Sequence, residues 1–260
     1  MKKALLVVSF GTSYPETRIK NIESCEETMR ALCPDRDFFR SWTSHIIRRK
    51  VAQRDLMLID SPQQALERLI AEGYQDIAIQ SLHVINGDEF EKIINEVKVY
   101  QHQFNKMFIG KPLLSSFDDY LKVIAALQAQ APVMAADERV VFMGHGTTHH
   151  AFAAYACIDH LFTDRKLPFI MGAVESYPEI DTILERLVAD KVRKVHLMPF
   201  MIVAGDHATH DMASDEDDSW SSRIQALGIE VECHLQGLGE NLQIRQLFAE
   251  HLLAATKEEA

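Results

Sequence analysis

The 260-residue sequence lacks the features that mark several large classes of protein. No apolar run approaches the roughly 18 residues that a membrane-spanning helix needs, so we expect no such helix. Basic residues are fewer than acidic ones: the sequence has 27 lysines and arginines and 38 aspartates and glutamates, which gives a formal net charge of −11. Nucleic-acid binding requires a basic face that neutralises phosphates, so this charge balance argues against a nucleic-acid partner.

Cysteine is scarce, and its spacing shows no CxxC pair. The four cysteines are Cys25, Cys33, Cys157 and Cys233. This usage predicts a reduced, cytoplasmic setting. The N-terminal sequence MKKALLVV is basic and then apolar, as in a signal peptide. Its apolar run stops at residues 9–12 without a small-residue cleavage site, so a buried first strand is the better interpretation.

Three motifs of well-known sites are also missing. Without GxxxxGK[ST] the sequence offers no ATP-binding loop, and without GxGxxG it has no dinucleotide fingerprint. The HExxH spacing is absent too, so any metal site must be assembled from distant segments. Histidine, in contrast, is plentiful with 12 residues.

Short apolar runs alternate with segments of helical period along the whole chain. Runs typical of buried strands fall at residues 4–10, 38–43, 77–84, 107–114, 139–143, 169–174, 195–203 and 230–235. Strands separated by helices indicate right-handed βαβ units and parallel sheets. We therefore predict an α/β fold of two similar lobes. Each is a roughly four-stranded parallel sheet flanked by helices, with the active-site cleft between the lobes.

An internal repeat supports the two lobes. Residues 66–89 align without a gap with residues 184–207, with seven identities over 24 positions. Chance similarity between two amphipathic helix–strand units is the alternative. The first strand aligns at a different offset, which predicts an insertion in the first lobe around residues 44–59. We expect lobes of residues 1–128 and 129–260, with the metal site on the second and the last helix free to pack on the first.

The motif GHGTTHH at residues 144–150 is the strongest local signal of a site. His145 stands where a strand ends, and the flanking glycines let the backbone approach a ligand closely. The alternative is a strand-to-helix turn capped by Thr147 or Thr148.

Three further candidates occupy similar positions. His207 follows an apolar run, and a neutral imidazole binds divalent transition metals when a carboxylate fixes its tautomer. Glu175 follows another buried run, and the repeat makes Glu89 the symmetry mate of His207. Their alternatives are a surface histidine, a loop carboxylate, and an exposed carboxylate in the first turn of a helix. Two imidazoles and one carboxylate would leave open coordination positions and suit Co, Ni, Fe or Zn.

These motifs give the sequence a recognisable resemblance. Five segments carry it: ALLVVSFGTS at 4–13, QSLHVINGDE at 80–89, VFMGHGTTHHAFAAY at 141–155, GAVESYPE at 172–179 and HLMPFMIVAGDHATHDM at 196–212. They resemble the cobalt chelatases of anaerobic cobalamin biosynthesis (CbiK type), ATP-independent class II enzymes related to class II ferrochelatases. The resemblance runs the full length and implies two α/β lobes with a tetrapyrrole cleft between them.

The resemblance also implies residue roles. His145 matches a metal ligand that also accepts a proton, and Glu175 and His207 match the other two metal ligands. Glu89 is a second catalytic candidate, as a proton acceptor. Candidate substrate-binding residues are Phe10, Gly11, His83, Val84, Gly87, Asp88 and Glu89. For His83 we also weigh a structural role, as a hydrogen-bonded histidine inside the third strand.

The expected reaction is ATP-independent insertion of Co²⁺ into sirohydrochlorin, which gives cobalt-sirohydrochlorin and two protons. We expect no cofactor beyond the substrate metal, and no partner beyond tetrapyrrole and metal except a second copy of the chain. The alternatives are a chelatase for Fe or Ni, a tetrapyrrole or metal carrier, and a metallohydrolase. Sirohydrochlorin carries many carboxylates, so a chain of net charge −11 must bind it through local N–H groups and a few basic residues.

Overall fold

The computed structural model describes residues 1–257 and forms two compact units. The first unit comprises Met1–Asp119 together with the C-terminal helix that begins at Leu242, and the second comprises Tyr120–Asn241. The helices are α1 (Pro15–Thr17), α2 (Ser24–Leu32), α3 (His45–Asp55), α4 (Pro62–Ala71), α5 (Asp88–Tyr100), α6 (Phe117–Gln130), α7 (Ala153–Asp164), α8 (Ile180–Ala189), α9 (Trp220–Gln225) and α10 (Leu242–Lys257). Within the described residues, no helix is long and apolar enough to cross a membrane.

The first unit is built on a four-stranded parallel sheet in the order β2-β1-β3-β4. Its strands are β1 (Lys2–Ser9), β2 (Asp37–Trp42), β3 (Tyr74–Ser81) and β4 (Lys106–Gly110). The central strand β1 is buried from Ala4 to Ser9, because helices cover both faces of a parallel sheet. That double burial is the reason the strand reads as a continuous apolar run in the sequence.

The second unit repeats this topology with a sheet in the order β6-β5-β7-β8, again all parallel. Its strands are β5 (Glu138–Gly144), β6 (Phe169–Ala173), β7 (Lys194–Phe200) and β8 (Glu230–Cys233). In both sheets the first strand of the unit is central and pairs with the second and third. The predicted α/β fold with two four-stranded parallel sheets is confirmed.

The expected insertion in the first lobe corresponds to α3. Between β2 and β3 the chain forms two helices, α3 and α4, whereas α8 stands alone between β6 and β7. Ser44 caps α3 by accepting a hydrogen bond from the Ile47 N–H, and a Ser61–Gln64 capping box starts α4. Because each helix has its own N-terminal cap, the segment between β2 and β3 forms two separate helices.

The last helix, α10, belongs to the first unit because its apolar face packs on α2, β3 and β4. His251 on this helix donates from Nε2 to Asp119 Oδ1, 2.9 Å away. The packing units therefore differ from the lobes expected at 1–128 and 129–260, since one unit boundary falls inside α6 and the other precedes α10. Those lobe boundaries stay a prediction of the repeat.

Three strands end three or more residues earlier than expected, and one of these ends changes the position of a candidate residue. Strand β3 stops at Ser81, β4 at Gly110 and β7 at Phe200. The expectation that His83 lies inside the third strand is therefore wrong. The His83 N–H turns to the Ser81 hydroxyl, 3.3 Å away, instead of continuing the ladder with β1. His83 thus belongs to the loop that follows the strand.

Candidate metal centre

The loops after β5 and β6 are joined by their backbones, which brings His145 beside Glu175. The N–H of Val174 donates to the Gly144 carbonyl and that of Glu175 donates to the His145 carbonyl, each at 3.0 Å. Gly146 follows with φ +86°, a conformation that disfavours any residue with a Cβ. A Cβ there would also lie 2.8 Å from the Glu175 nitrogen, so glycine allows this close approach.

His207 reaches the same place from the loop after β7. It precedes a π-helical turn, Ala208–Met212, and its ring meets the His145 ring edge to face with centroids 4.5 Å apart. The His145 Nδ1 atom lies 3.6 Å from Glu175 Oε2. One potential ligand atom from each of these three residues lies within 4.8 Å of those of the other two. Sequence segments 30 or more residues apart thus supply one compact donor set.

The two imidazoles present equivalent nitrogens. His145 Nδ1 lies 3.1 Å from the Gly146 carbonyl oxygen, and His207 Nδ1 lies 2.5 Å from Asp211 Oδ2. A carbonyl or carboxylate oxygen can only accept from the ring, so Nδ1 carries the proton in each neutral histidine. This tautomer leaves Nε2 with its lone pair for a metal or a proton.

The cluster is open to solvent and to ligands. The side chains of His145, Glu175 and His207 are exposed by 41%, 50% and 34%. Three protein ligands with open positions are the arrangement of catalytic metal sites, whereas structural sites are usually closed by a fourth ligand. The donor set therefore suits an ion that must exchange ligands.

The neighbouring histidines do not join this cluster. His149 Nδ1 accepts from the Ala151 N–H and caps the short helical turn that follows. His210 faces Asp206, with Nδ1 3.3 Å from Oδ1, and is more than half exposed. Among the histidines at positions 145, 149, 150, 207 and 210, His145 and His207 are the pair that converges.

The substrate-binding candidates of the first unit occupy loops after β1 and β3, which are adjacent strands. They are Phe10 and Gly11 after β1, and His83, Val84, Gly87, Asp88 and Glu89 after β3. Ligands of parallel sheets bind beyond the carboxyl ends of the strands, the edge at which these loops lie. Phe10 exposes 43% of its surface, so an aromatic ring is available there.

These residues also have local structural roles. Gly11 has φ +96°, and a Cβ on it would lie 2.7 Å from the Trp42 ring. Gly87 is the residue before α5, which Asp88 and Glu89 begin. The second loop is fixed by its backbone, since the N–H groups of Leu113 and Leu114 donate to the carbonyls of His83 and Val84.

The pKa values of Glu89 and His83 are both lowered, but for different reasons. Burial raises the pKa of Glu89, but the hydrogen bond from Lys92, with Nζ 2.5 Å from Oε1, helps to bring it below its usual value. Glu89 is therefore an ionised carboxylate and a weak base. Burial lowers the pKa of His83 to about 4, so its ring is neutral at pH 7. Its Nδ1 lies 2.7 Å from the Ser81 hydroxyl.

Asp211 is the residue that sequence reasoning missed as part of the centre. In the sequence it opens an acid-rich stretch typical of a solvated loop. Its spacing of four residues from His207 is the signal that could have found it, because this spacing places both side chains on one face of a helical turn. Tyr155 was also missed. Its buried ring occupies the space that a Cβ at position 144 would fill, so the glycine there makes room for the ring.

Comparison with known proteins gives a consistent result. The family model described as cobalt chelatase (CbiK) matches residues 3–257. A sirohydrochlorin cobaltochelatase of Salmonella typhimurium is 57% identical, over 97% of this chain and 96% of that protein. The sirohydrochlorin cobaltochelatase CbiKC of Nitratidesulfovibrio vulgaris is 33% identical, over 98% of this chain and 90% of that protein.

Solved structures share the fold. SirB from Bacillus subtilis, solved with Fe³⁺, matches with a TM-score of 0.64 at 14% identity, over 99% of this chain and 96% of that one. DR2241 from Deinococcus radiodurans, a multi-domain protein with structural similarity to chelatases, matches with a TM-score of 0.60 at 12% identity. That match covers 100% of this chain and 55% of the other. At these identities the likeness concerns the fold alone.

Proposed function

The chain belongs to the cobalt chelatase (CbiK) family, and from this premise we propose that it inserts Co²⁺ into sirohydrochlorin. The products are cobalt-sirohydrochlorin and two protons, in a step of cobalamin biosynthesis. The observation that carries this proposal is the convergence of His145, Glu175 and His207 on one open donor set.

Insertion requires that the metal exchange its ligands one at a time. His145, Glu175 and His207 would hold Co²⁺, the substrate metal, from one side. The open positions of the site would let ring nitrogens replace water on the other side. Two imidazoles and one carboxylate bind Co²⁺, Ni²⁺, Fe²⁺ and Zn²⁺, so the choice of metal depends on availability as well as on the site.

The reaction also releases two pyrrole protons, because two N–H bonds break as the metal–nitrogen bonds form. We assign the first proton to His145 Nε2. This nitrogen cannot bind the metal and a proton together, so its two roles are sequential: it delivers the ion to the ring and then accepts the proton. Imidazole is the side chain that enzymes use most often as a general base, which suits this exchange. For the second proton we propose the Glu89 carboxylate, which is ionised and half-buried, although its lowered pKa makes it a weak base.

Tetrapyrrole binding is assigned to the first unit. The exposed ring of Phe10 offers an apolar surface for the macrocycle, and Gly11 follows it in the same loop. The N-terminus of α5, at Gly87 and Asp88, presents backbone N–H groups to carboxylates of the substrate. Basic residues on the inserted helix α3, 48–50, supply local positive charge in a chain that is acidic overall.

We propose no cofactor beyond the substrate metal, and no energy source other than the chelate advantage of the macrocycle. The reaction is assigned to the cytoplasm. All four cysteines are free thiols in the structure, which supports a reducing compartment.

An anaerobic assay tests the function. Metal-free protein is incubated with sirohydrochlorin and one of Co²⁺, Ni²⁺, Fe²⁺ or Zn²⁺, without ATP, and the tetrapyrrole absorbance is followed. We expect multiple turnovers with Co²⁺ above the uncatalysed rate. Stoichiometric binding without turnover would instead identify a carrier. Zinc that is tightly held, together with no change in the tetrapyrrole spectrum, would point to a metallohydrolase.

A further inference from the structure

A second group of metal-binding side chains lies in the second unit, on residues that the chelatase proposal does not use. His196 is in β7 and Glu232 is its register partner in β8. Register partners in a parallel pair lie side by side on one face of the sheet. His234, two residues after Glu232, returns to that same face. Three potential ligands therefore lie close together on one face of the sheet: two on the neighbouring strands β7 and β8, and one directly after β8.

The spacing of the ligand atoms fits a single ion. His196 Nδ1 lies 3.0 Å from His234 Nε2 and 3.6 Å from Glu232 Oε2, and His234 Nε2 lies 3.7 Å from Glu232 Oε1. A tetrahedral ion with ligand bonds of about 2.0–2.1 Å separates its ligand atoms by about 3.3–3.4 Å. The observed separations bracket that value. The 3.6 Å and 3.7 Å distances end on different oxygens of Glu232, so the side chain must rotate to give one oxygen to a shared ion, and one ligand atom from each residue already lies within 4.8 Å of the other two.

The buried histidine has the surroundings of a metal ligand. The His196 side chain is only 5% exposed, and its Nε2 lies 3.5 Å from Glu138 Oε2. Glu138 is held in turn by Arg193, at 2.8 Å, and by the N–H of Ala135, at 3.2 Å. His196 Nε2 makes no hydrogen bond at this distance, but Glu138 is placed to accept one from it when the opposite nitrogen, Nδ1, binds a metal.

Lys194 is the one positive group in direct contact with these three ligands among the described residues. Its Nζ donates to Glu232 Oε2 at 2.7 Å. A carboxylate has two oxygens, so Oε1 remains on the side of His234 while Lys194 holds Oε2. Lys194 thus orients Glu232 without occupying both of its oxygens, although its charge reduces the affinity for a cation.

We propose that His196, Glu232 and His234 bind one divalent transition-metal ion, of the Zn²⁺ or Co²⁺ type, at a site separate from the His145 centre. Two imidazoles and one carboxylate are a donor set for such ions. Strand β8 is an edge strand that pairs with β7 alone, so the ion fastens this edge of the sheet. The proposal does not depend on the chelatase function, since the two sites share no residue.

Metal stoichiometry distinguishes the two sites. Metal-free protein is titrated with Zn²⁺ and with Co²⁺ by calorimetry, and bound metal is counted after gel filtration. We expect two ions on the wild type and one ion on the double variant His145→Ala/His207→Ala, which keeps only the second site. Adding Glu232→Gln and His234→Ala should abolish the remaining ion, whereas adding His160→Ala, an exposed histidine on α7, should not.

The double variant decides the outcome. If it binds no ion at micromolar metal, or if its ion survives Glu232→Gln and His234→Ala, the proposal is wrong. Circular dichroism shows that each variant is folded before it is counted. A second readout is amide hydrogen exchange at residues 230–233, which metal should slow in the double variant but not after Glu232→Gln and His234→Ala. Glu138→Gln should weaken the remaining ion about 10–100-fold while the stoichiometry stays at one.

Discussion

His207 Nδ1 lies 2.5 Å from Asp211 Oδ2, across one turn of the π-helical segment after β7. The carboxylate accepts a hydrogen bond from Nδ1–H, which leaves the Nε2 lone pair available to a metal. Asp211 is thus a positioning residue, since it acts through His207 rather than on the substrate.

Asp211→Asn should weaken Co²⁺ binding about 10–100-fold, because the neutral amide is a weaker hydrogen-bond acceptor for Nδ1–H and no longer raises the basicity of the imidazole. Calorimetric titration with Co²⁺ measures the affinity, and the chelatase assay should show the loss mainly at low Co²⁺ concentration. Asp206→Asn is the matched control, since Asp206 faces His210 outside the cluster. Equal effects of the two substitutions would contradict the positioning role.

Gly146→Ala should damage the centre through its backbone. A Cβ at φ +86° is strained, and it would lie 2.8 Å from the nitrogen of Glu175, so the Glu175 loop must move. We expect the free energy of unfolding to fall by about 1–3 kcal/mol and Co²⁺ affinity to fall with it. Urea unfolding and metal titration measure the two effects.

Gly228→Ala is the control for that experiment. Gly228 has a similar φ of +78°, but nothing lies within 4 Å of a Cβ added there. It should lose stability from the strained backbone alone and keep its Co²⁺ affinity. If Gly146→Ala also keeps wild-type affinity, the close approach of the two loops does not matter for the metal.

His83 should make stability depend on pH. Burial lowers its pKa in the folded protein to about 4, against about 6.5 in the unfolded chain. Between these values the unfolded state binds the extra proton, so the free energy of unfolding falls as pH drops through this window, by up to about 3 kcal/mol. Urea unfolding at several pH values measures the slope. His83→Gln should flatten it between pH 4 and 6.5, and an unchanged slope would show that the ring is not the titrating group.

Glu89→Gln tests the second proton acceptor. The amide keeps the shape of the side chain but cannot take a proton, so the chelatase turnover should fall about 100-fold at saturating metal. Glu91→Gln, in the same helical turn, is the control and should keep the wild-type rate. Wild-type kinetics for Glu89→Gln would assign the second proton to solvent and leave Glu89 as a surface carboxylate.

The fold could be predicted because each central strand is buried on both faces, and such strands appear as unbroken apolar runs. The same patterns left α10 free to pack on the first lobe but did not require it. Its apolar face could have been covered by either sheet, and the choice depends on the tertiary packing against α2 and β4. The end of β3 was also misjudged, because the His83 N–H donates locally to the Ser81 hydroxyl instead of continuing the ladder with β1.

The convergence of the three candidate metal ligands was predictable for a topological reason. His145, Glu175 and His207 each follow a strand, and those strands are neighbours in the order β6-β5-β7. The second metal group was not predictable, because His196 meets Glu232 only through the register of β7 and β8. The sequence contains the residues of that group but not the register.

His145, Glu175 and His207 are proposed to hold the metal during insertion. The most direct measurement is the initial rate of cobalt-sirohydrochlorin formation, under anaerobic conditions, by the wild type and by His145→Ala, His207→Ala and His210→Ala. We expect folded proteins in all cases, a rate at least about 100-fold lower for His145→Ala and His207→Ala, and the wild-type rate for His210→Ala. Full activity in His145→Ala or His207→Ala would contradict a role of these histidines as metal ligands.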